Sequence, residues 1–403
     1  MQIEFLTPDQ IAEAARAWQT LETRAGEGAL ACSWDWTETW LRHFGDLVPH
    51  RFAVGLRSGT PCGIALVTER RTRMLGGLCT IRSLHLGTAG EPRGHGIWIE
   101  YNRLLVEPDA RDAFAAALIA AVRHDPRWDE FILDGFAPED AAALLQAEPG
   151  LVPTRESCWA VDLRVPGSAG REALKLFKPA IQRKVRQSLR AFGPLETEWA
   201  ETPEQALDIL DELMVLHQHR WRRAGKPGAF ASARNVAFHR EIVPRLLPKK
   251  AVLLFRARNG SGTVGCLYSF IERGTVFFYQ GGLASFDDNK LRSGYVVHAL
   301  CLQACLERGL EEYNFLQGDD RYKQELATVR RELIWAAADR PRPQVLVMTG
   351  LRRLKRWARH ARARTSGVRV RMRRLAALKQ QVPPQAQKAA SGLARPRPSQ
   401  PSD

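Results

Sequence analysis

Two pairs of segments in this chain echo each other at a similar separation, and that repetition constrains the fold more than any other feature of the sequence. GIALVTERR, starting at Gly63, is matched by GCLYSFIERG, starting at Gly265. DEFILDG, starting at Asp129, is matched by EEYNFLQG, starting at Glu311, so both pairs lie about 180 to 200 residues apart. A duplicated and diverged domain accounts for both pairs; chance similarity of short hairpin strands is the plain alternative. At 403 residues the chain is long enough for two cores, and its 45% hydrophobic content is that of a globular protein.

The pattern around each pair runs in the same order. In the first half, helical spacing of Ile11, Ala14, Ala15, Trp18 and Leu21 is followed by an apolar helix over 36–44. Strand patterns come next at 51–56, 63–70 and 78–86, then a helix over 110–122 and a short strand at 131–133. In the second half, strand patterns at 251–258, 263–272 and 275–280 precede a helix from about 295 to 308 and a strand at 313–316. Gly309 stands where a helix C-cap favours glycine. Strands, then a helix, then a strand is an α+β order. It predicts two tandem α/β/α domains with mixed, largely antiparallel sheets, over 1–150 and 151–345, followed by a basic tail over 346–403. An amphipathic basic helix is expected between the halves, over 171–192.

Charge separates the tail from the body. The net charge is +15, yet residues 351–403 hold fifteen Lys or Arg against one acid, so the remainder is close to neutral. The body therefore gives no electrostatic footprint for nucleic acid. Residues 347–374, with Trp357 among arginines, suit an interfacial helix on an anionic membrane surface, or a solvated charged segment, and the last twenty or so residues have a disordered composition. The N-terminus lacks a signal-peptide pattern and no stretch approaches roughly 18 apolar residues. A cytoplasmic protein is expected, with a peripheral place at the inner membrane face as an extension of that. Seven cysteines without CxxC or metal-ligand spacing read as reduced and mostly buried, with no metal implied.

Arg292, Ser293 and Gly294, between a strand and a helix, make the strongest local site. A helix N-terminus offers unpaired N–H groups and glycine lets an anion approach the backbone, which fits a pyrophosphate. Ser as a plain N-cap and Gly as a turn residue is the other reading. Tyr279, Gln280 and Gly281 belong to a strand whose GlyGly pair either loosens the ladder to admit a ligand or marks a bulge or strand end. Asp319, Tyr322 and Lys323 follow a strand end, where Asp319 can serve as base and Tyr322 as proton donor; a surface ion pair is the alternative. His217 falls on an apolar helix face and reads as a core histidine, while His219 and Arg220 face elsewhere, toward an acceptor cleft or plain solvent. The aperiodic segment 91–102 holds Glu91, His95, Glu100 and Tyr101, and is either an acceptor-binding loop facing the second half or a structured surface loop.

LHQHRW (216–221), Phe230, Phe238 with His239, GCLYSF (265–270), YQGG (279–282), LRSG (291–294) and YNFLQGDDRYK (313–323) together resemble the CelD-type acetyltransferases of the GNAT superfamily. The resemblance is strong over roughly 160 to 335. It is looser in the first half, through SWDWTETW (33–40) and HLG (85–87). It implies tandem GNAT-like domains, as in Fem-type peptidyltransferases, with acetyl-CoA or another acyl-CoA as co-substrate and no bound cofactor. It places Arg292, Ser293 and Gly294 at the pyrophosphate loop, here in a short form.

An acyltransferase acting on an amino or hydroxyl group, with a sugar or polysaccharide precursor as acceptor, follows from that resemblance. Aminoacyl transfer from charged tRNA, as in Fem-type enzymes, and a non-catalytic scaffold docked on membrane through the tail are the competing accounts.

Overall fold

Alternating apolar residues and tight turns build two meanders, one in each half of the chain. The first half contains β1 (Gln2–Leu6), α1 (Ile11–Arg24), α2 (Trp34–Phe44), β2 (His50–Arg57), β3 (Thr60–Met74), β4 (Cys79–Leu86), β5 (Leu105–Val106), α3 (Arg111–His124), β6 (Glu130–Phe136), α4 (Pro138–Ala147) and β7 (Val152–Asp162). The second contains α5 (Pro179–Phe192), β8 (Glu196–Trp199), α6 (Pro203–Arg223), α7 (Ala233–Leu246), β9 (Val252–Asn259), β10 (Gly262–Glu272), β11 (Thr275–Leu283), α8 (Ser293–Glu307), β12 (Glu312–Gln317), α9 (Arg321–Leu326) and β13 (Val329–Asp339). The structure is a computed structural model that describes residues 1–25, 29–97, 99–164, 172–318 and 320–350.

All thirteen strands join one sheet, in the order β1-β2-β3-β4-β6-β13-β7-β12-β11-β10-β9-β8, with β5 on β3. Read inward from either edge, the order is the same. An antiparallel meander leads to one parallel neighbour reached through a helix, β6 beside β4 and β12 beside β11, and then to an antiparallel strand. The echoed segments occupy equivalent places, β3 against β10 and β6 against β12. Their shared glycine has a packing reason. A Cβ on Gly63 would stand 2.8 Å from the Phe114 ring of α3, and one on Gly265 would stand 3.1 Å from Val297 of α8. In both halves glycine lets the crossover helix lie close on the sheet.

The central pair departs from two separate sheets. β7 ends the first half in sequence but pairs with β12 of the second, whereas β13 ends the second half and pairs with β6 of the first. β7 and β13 also pair with each other over nine residues, from Val329↔Ala160 to Ala337↔Val152. The halves are thus exchanged at their last strands within one compact unit, Met1–Arg340. They also share a core. Trp36 of α2 packs edge-on against Phe238 of α7 at 4.9 Å and Phe270 of β10 at 5.5 Å.

Helix α5 begins at Pro179, later than the periodicity predicts. A 3₁₀ turn at Ala173–Leu176 and extended residues at Phe177 and Lys178 precede it, because Pro179 holds Lys178 extended and itself suits the first helical position. All seven cysteines are free and six are buried. Among the described residues no helix is long and apolar enough to cross a membrane. The second compact unit is Pro341–Asp403, in which residues 343–350 are helical. The interfacial-helix reading of 347–374 lies, beyond residue 350, outside the described residues.

Candidate active site

Strands β11 and β12 pair in parallel only at Thr275↔Glu312, Val276↔Tyr313 and Phe277↔Asn314, and then diverge. From Phe278 onward β12 no longer pairs with β11, and this divergence coincides with two irregularities. Tyr279 is an extra residue bulged out of the β10–β11 ladder, between the pairs Tyr268↔Gln280 and Ser269↔Phe278. β12 is irregular between Asn314 and Gln317, where Leu316 takes a φ of 60°, and Gly318 just after the strand has a φ of 129°.

The wedge opens into a cleft of about 760 Å³, a size that suits a small-molecule or cofactor site. Its walls are the C-terminal part of α6 (His217, Arg220, Trp221), β11 (Phe278 to Gly281), the first turn of α8 (Ser293, Gly294, Tyr295) and the start of α9 (Tyr322, Lys323). Among the described residues Arg220, Lys226, Arg292 and Lys323 line it against one acid, Asp320. The field in the cleft favours an anion.

Arg292 is the N-cap of α8 and offers no side-chain cap, so the first-turn amides stay available, and its own Nη1 is buried without a hydrogen-bond partner. The Ser293 hydroxyl is turned away to donate to the Ala284 carbonyl at 2.7 Å, tying the preceding loop to the helix. Gly294 has Leu283 at 3.4 Å from a would-be Cβ.

Helix α9 is fixed through Glu325, which accepts from the Tyr295 hydroxyl at 2.6 Å and from Lys184 at 2.7 Å. Those hydrogen bonds, Lys184 first, hold its carboxyl down at about 2. Tyr322 then stacks on His298, with centroids 5.6 Å apart and planes 18° apart, and burial raises its hydroxyl pKa. Lys323 donates from Nζ to the Gln317 carbonyl at 2.6 Å; burial lowers its pKa, opposed by the charge of Glu100. His298 has Nδ1 3.1 Å from the Tyr313 hydroxyl and is pushed down to about 3, by burial first and then by Lys323. It is a neutral imidazole at neutral pH.

Of the sequence-derived donor-site residues, Tyr279, Gln280, Gly281, Arg292, Ser293 and Gly294 all line this cleft, as do Tyr322, Lys323 and Arg220. Asp319 lies outside the described residues. The GlyGly reading changes. The β10–β11 ladder runs on through Leu267↔Gly281 and Cys266↔Gly282. Gly282 is glycine because a Cβ there would stand 2.4 Å from the Leu213 carbonyl oxygen of α6. The opening is the bulge at Tyr279.

The loop residues divide. Glu100 and Tyr101 do not line the cleft but are tied to β12: Glu100 Oε2 accepts from Gln317 N at 2.7 Å, and the Tyr101 hydroxyl accepts from Asn314 Nδ2, also at 2.7 Å. Glu91 and His95 do not line the cleft. Glu91 accepts from Trp40 Nε1 at 2.6 Å inside the core, and His95 Nδ1 meets the Ser232 hydroxyl of the α7 N-cap at 2.7 Å. His219 is exposed and also outside the cleft lining. His217 is buried as expected, held by Gln218 at 3.1 Å and packed edge-on to Phe230, yet one side of it forms cleft wall. Sequence reasoning missed His298. The only signal for it was its place four residues after Gly294, on the face of the first turn.

Residues 180–324 match the family model described as the acetyltransferase (GNAT) domain. Every cleft residue named above falls in that span, so the second half carries a GNAT acetyltransferase domain and the first half repeats its strand and helix order. Among solved structures, FemX superposes with a TM-score of 0.54 at 12% identity, over 86% of this chain and 99% of its own. L-PGS from Bacillus licheniformis superposes with a TM-score of 0.51 at 13% identity, over 84% of this chain and 96% of its own. Identities this low speak to the fold alone. No curated protein matches the chain in sequence.

Proposed function

We propose that this protein transfers an acetyl or other short acyl group from a coenzyme A thioester to an amino or hydroxyl group of an acceptor, in the CelD-type manner, with a sugar or polysaccharide precursor as the acceptor class. The observation that carries the reading is a juxtaposition. The Tyr279 bulge of β11, where β12 has parted from it, and the N-terminus of α8 with Arg292 face one electropositive cleft. A pyrophosphate is matched by first-turn amides and a guanidinium. A thioester carbonyl laid along the part of β11 that β12 does not pair is polarised by backbone amides where negative charge develops.

In the transfer, the acceptor nitrogen or oxygen bonds to the carbonyl carbon and the C–S bond breaks. The proton lost by the acceptor ends on the departing sulfur. Tyr322, buried and stacked on His298, is the proton donor to that sulfur in this reading. Asp319, by its place in the motif, is the base, and Arg220 is the acceptor-side cation. Lys323 holds the β12 end by its bond to Gln317.

The test is calorimetric titration with coenzyme A, followed by an acyl-transfer assay of the Asp319→Asn and Tyr322→Phe variants. Binding to the wild type, with Tyr322→Phe lowering kcat about 100-fold at unchanged donor KM, supports the assignment. Absence of binding at millimolar coenzyme A, alongside tight binding of charged tRNA, gives the Fem-like account instead.

A further inference from the structure

Among the described residues, five non-glycine residues have a positive φ. Ser58 and Arg273 turn the β2–β3 and β10–β11 hairpins, and Lys250 lies in the turn between α7 and β9. The remaining two, Tyr101 and Leu316, both at 60°, line the same small cavity, although they lie in different halves of the chain. Left-handed backbone is strained for a residue with a Cβ, so the surroundings must hold both. One side chain does this. Asn314 donates from Nδ2 to the Tyr101 hydroxyl at 2.7 Å and accepts at Oδ1 from Leu316 N at 2.8 Å. The Tyr101 ring also rests on Phe277, with centroids 4.8 Å apart.

The cavity lies where β11 and β12 part, and its wall is mainly apolar: Ile99, Phe270, Phe277 and Leu316, with Tyr101 and Tyr279. Tyr279 also lines the large cleft, so the cavity and the cleft adjoin at the bulge. Two carboxylates reach the cavity but are already engaged, Glu100 by Gln317 N and Glu272 by Leu30 N at 3.2 Å. Its volume is about 30 Å³. A water-sized group needs about 10 to 15 Å³ on this measure, which leaves room for two carbons beyond a carbonyl and not for a longer chain.

We propose that this cavity receives the hydrocarbon end of the donor's acyl group, and that Tyr101, supplied by the first half, sets its length at two or three carbons. The proposal rests on the acyl-CoA reading above. It gives the first half a part in donor choice: its loop forms the floor of a slot whose opening belongs to the second half.

The test is kcat/KM for acetyl-, propionyl-, butyryl- and hexanoyl-CoA, followed by thiol release. The wild type is expected to fall at least about tenfold between propionyl and hexanoyl donors. Tyr101→Gly removes the ring and suits the backbone, and Ile99→Ala enlarges the same space from a different residue. Either is expected to raise the hexanoyl-to-acetyl ratio about tenfold or more. A wild type that uses hexanoyl-CoA as well as acetyl-CoA, or folded Tyr101→Gly and Ile99→Ala proteins with an unchanged profile, overturns the proposal while sparing the donor reading. Failure of the wild type to turn over any acyl thioester overturns both.

Discussion

Glu100 and Lys323 hold one residue, Gln317, through the two peptide groups that flank it. Glu100 accepts the Gln317 N–H at 2.7 Å, and Lys323 donates to the Gln317 carbonyl at 2.6 Å. One comes from the first-half loop and the other from α9, and the residue between them ends the irregular stretch of β12. Burial dominates the ionisation of both, raising the pKa of Glu100 and lowering that of Lys323. Each offsets the other's cost through opposite charge. Glu100→Gln keeps an acceptor for Gln317 N and removes only the charge. The fold is expected to survive, and any limb of the pH–rate profile belonging to Lys323 shifts to lower pH. Lys323→Met removes the charged donor as well, and kcat is expected to drop about tenfold or more at unchanged donor affinity. An unshifted profile in Glu100→Gln separates the two residues.

The two adjacent glycines of β11 give a sharp contrast. Alanine at Gly282 drives a methyl into the Leu213 backbone, at 2.4 Å from its oxygen, which cannot move without displacing α6. Alanine at Gly281 meets the tip of the Phe278 ring at 3.2 Å, which can turn aside. Denaturant melts should place Gly282→Ala at least about 2 kcal/mol below wild type and Gly281→Ala within about 1 kcal/mol of it. Equal losses at both positions contradict the close-approach account.

Acid stability follows from two buried imidazoles. His298 and His239 are pushed down from 6.5 to about 3, chiefly by burial. A histidine whose folded pKa lies below its unfolded value protonates first in the unfolded chain. Stability from each is therefore full above about pH 6.5 and falls as pH drops toward about 3. The share of the unfolding free energy owed to these two imidazoles is expected to decline between pH 7 and pH 4, and His298→Gln to lessen the measured slope by about one proton. A mutant with the wild-type slope shows that His298 is solvated.

Exchange of β7 and β13 makes the halves mutually dependent. A fragment ending at residue 150 lacks the strand that covers β6, and a fragment starting at 151 carries β13 without its β6 neighbour. Each leaves unpaired strand edges in what is the centre of the intact sheet, a template for aggregation. Residues 1–350 are expected to unfold in one cooperative transition, and neither fragment alone to give dispersed amide NMR signals. A well-dispersed spectrum from either fragment marks it as an independent domain.

Much of this was legible in the sequence because it is local. Hairpins at β2–β3 and β9–β11, the crossover helices and the short strands after them announce themselves by period and turn residues, and the echoed segments fall on equivalent strands. Arg292 to Gly294 and Tyr322 with Lys323 converge on one cleft because strand ends and helix starts meet at one end of a sheet. Strand exchange was not legible, since β7 and β13 carry no mark of which neighbour they choose. His298 was hidden by a helix buried on nearly every side, which has no polar face to betray a functional residue. Glu100 and Tyr101 were read as acceptor contacts. Their place in the β11–β12 wedge depends on contacts spanning 213 and 217 residues of chain, beyond the reach of any local pattern.

The most direct test of the central claim is thiol release from acetyl-CoA across a panel of amines and amino sugars, comparing the wild type with Arg292→Ala. The account predicts acceptor-dependent release by the wild type. It also predicts a donor KM raised about tenfold or more in Arg292→Ala, the loss of one charge-assisted contact to phosphate. No release with any acceptor at millimolar acetyl-CoA, or release untouched by Arg292→Ala, contradicts a coenzyme A site at the start of α8.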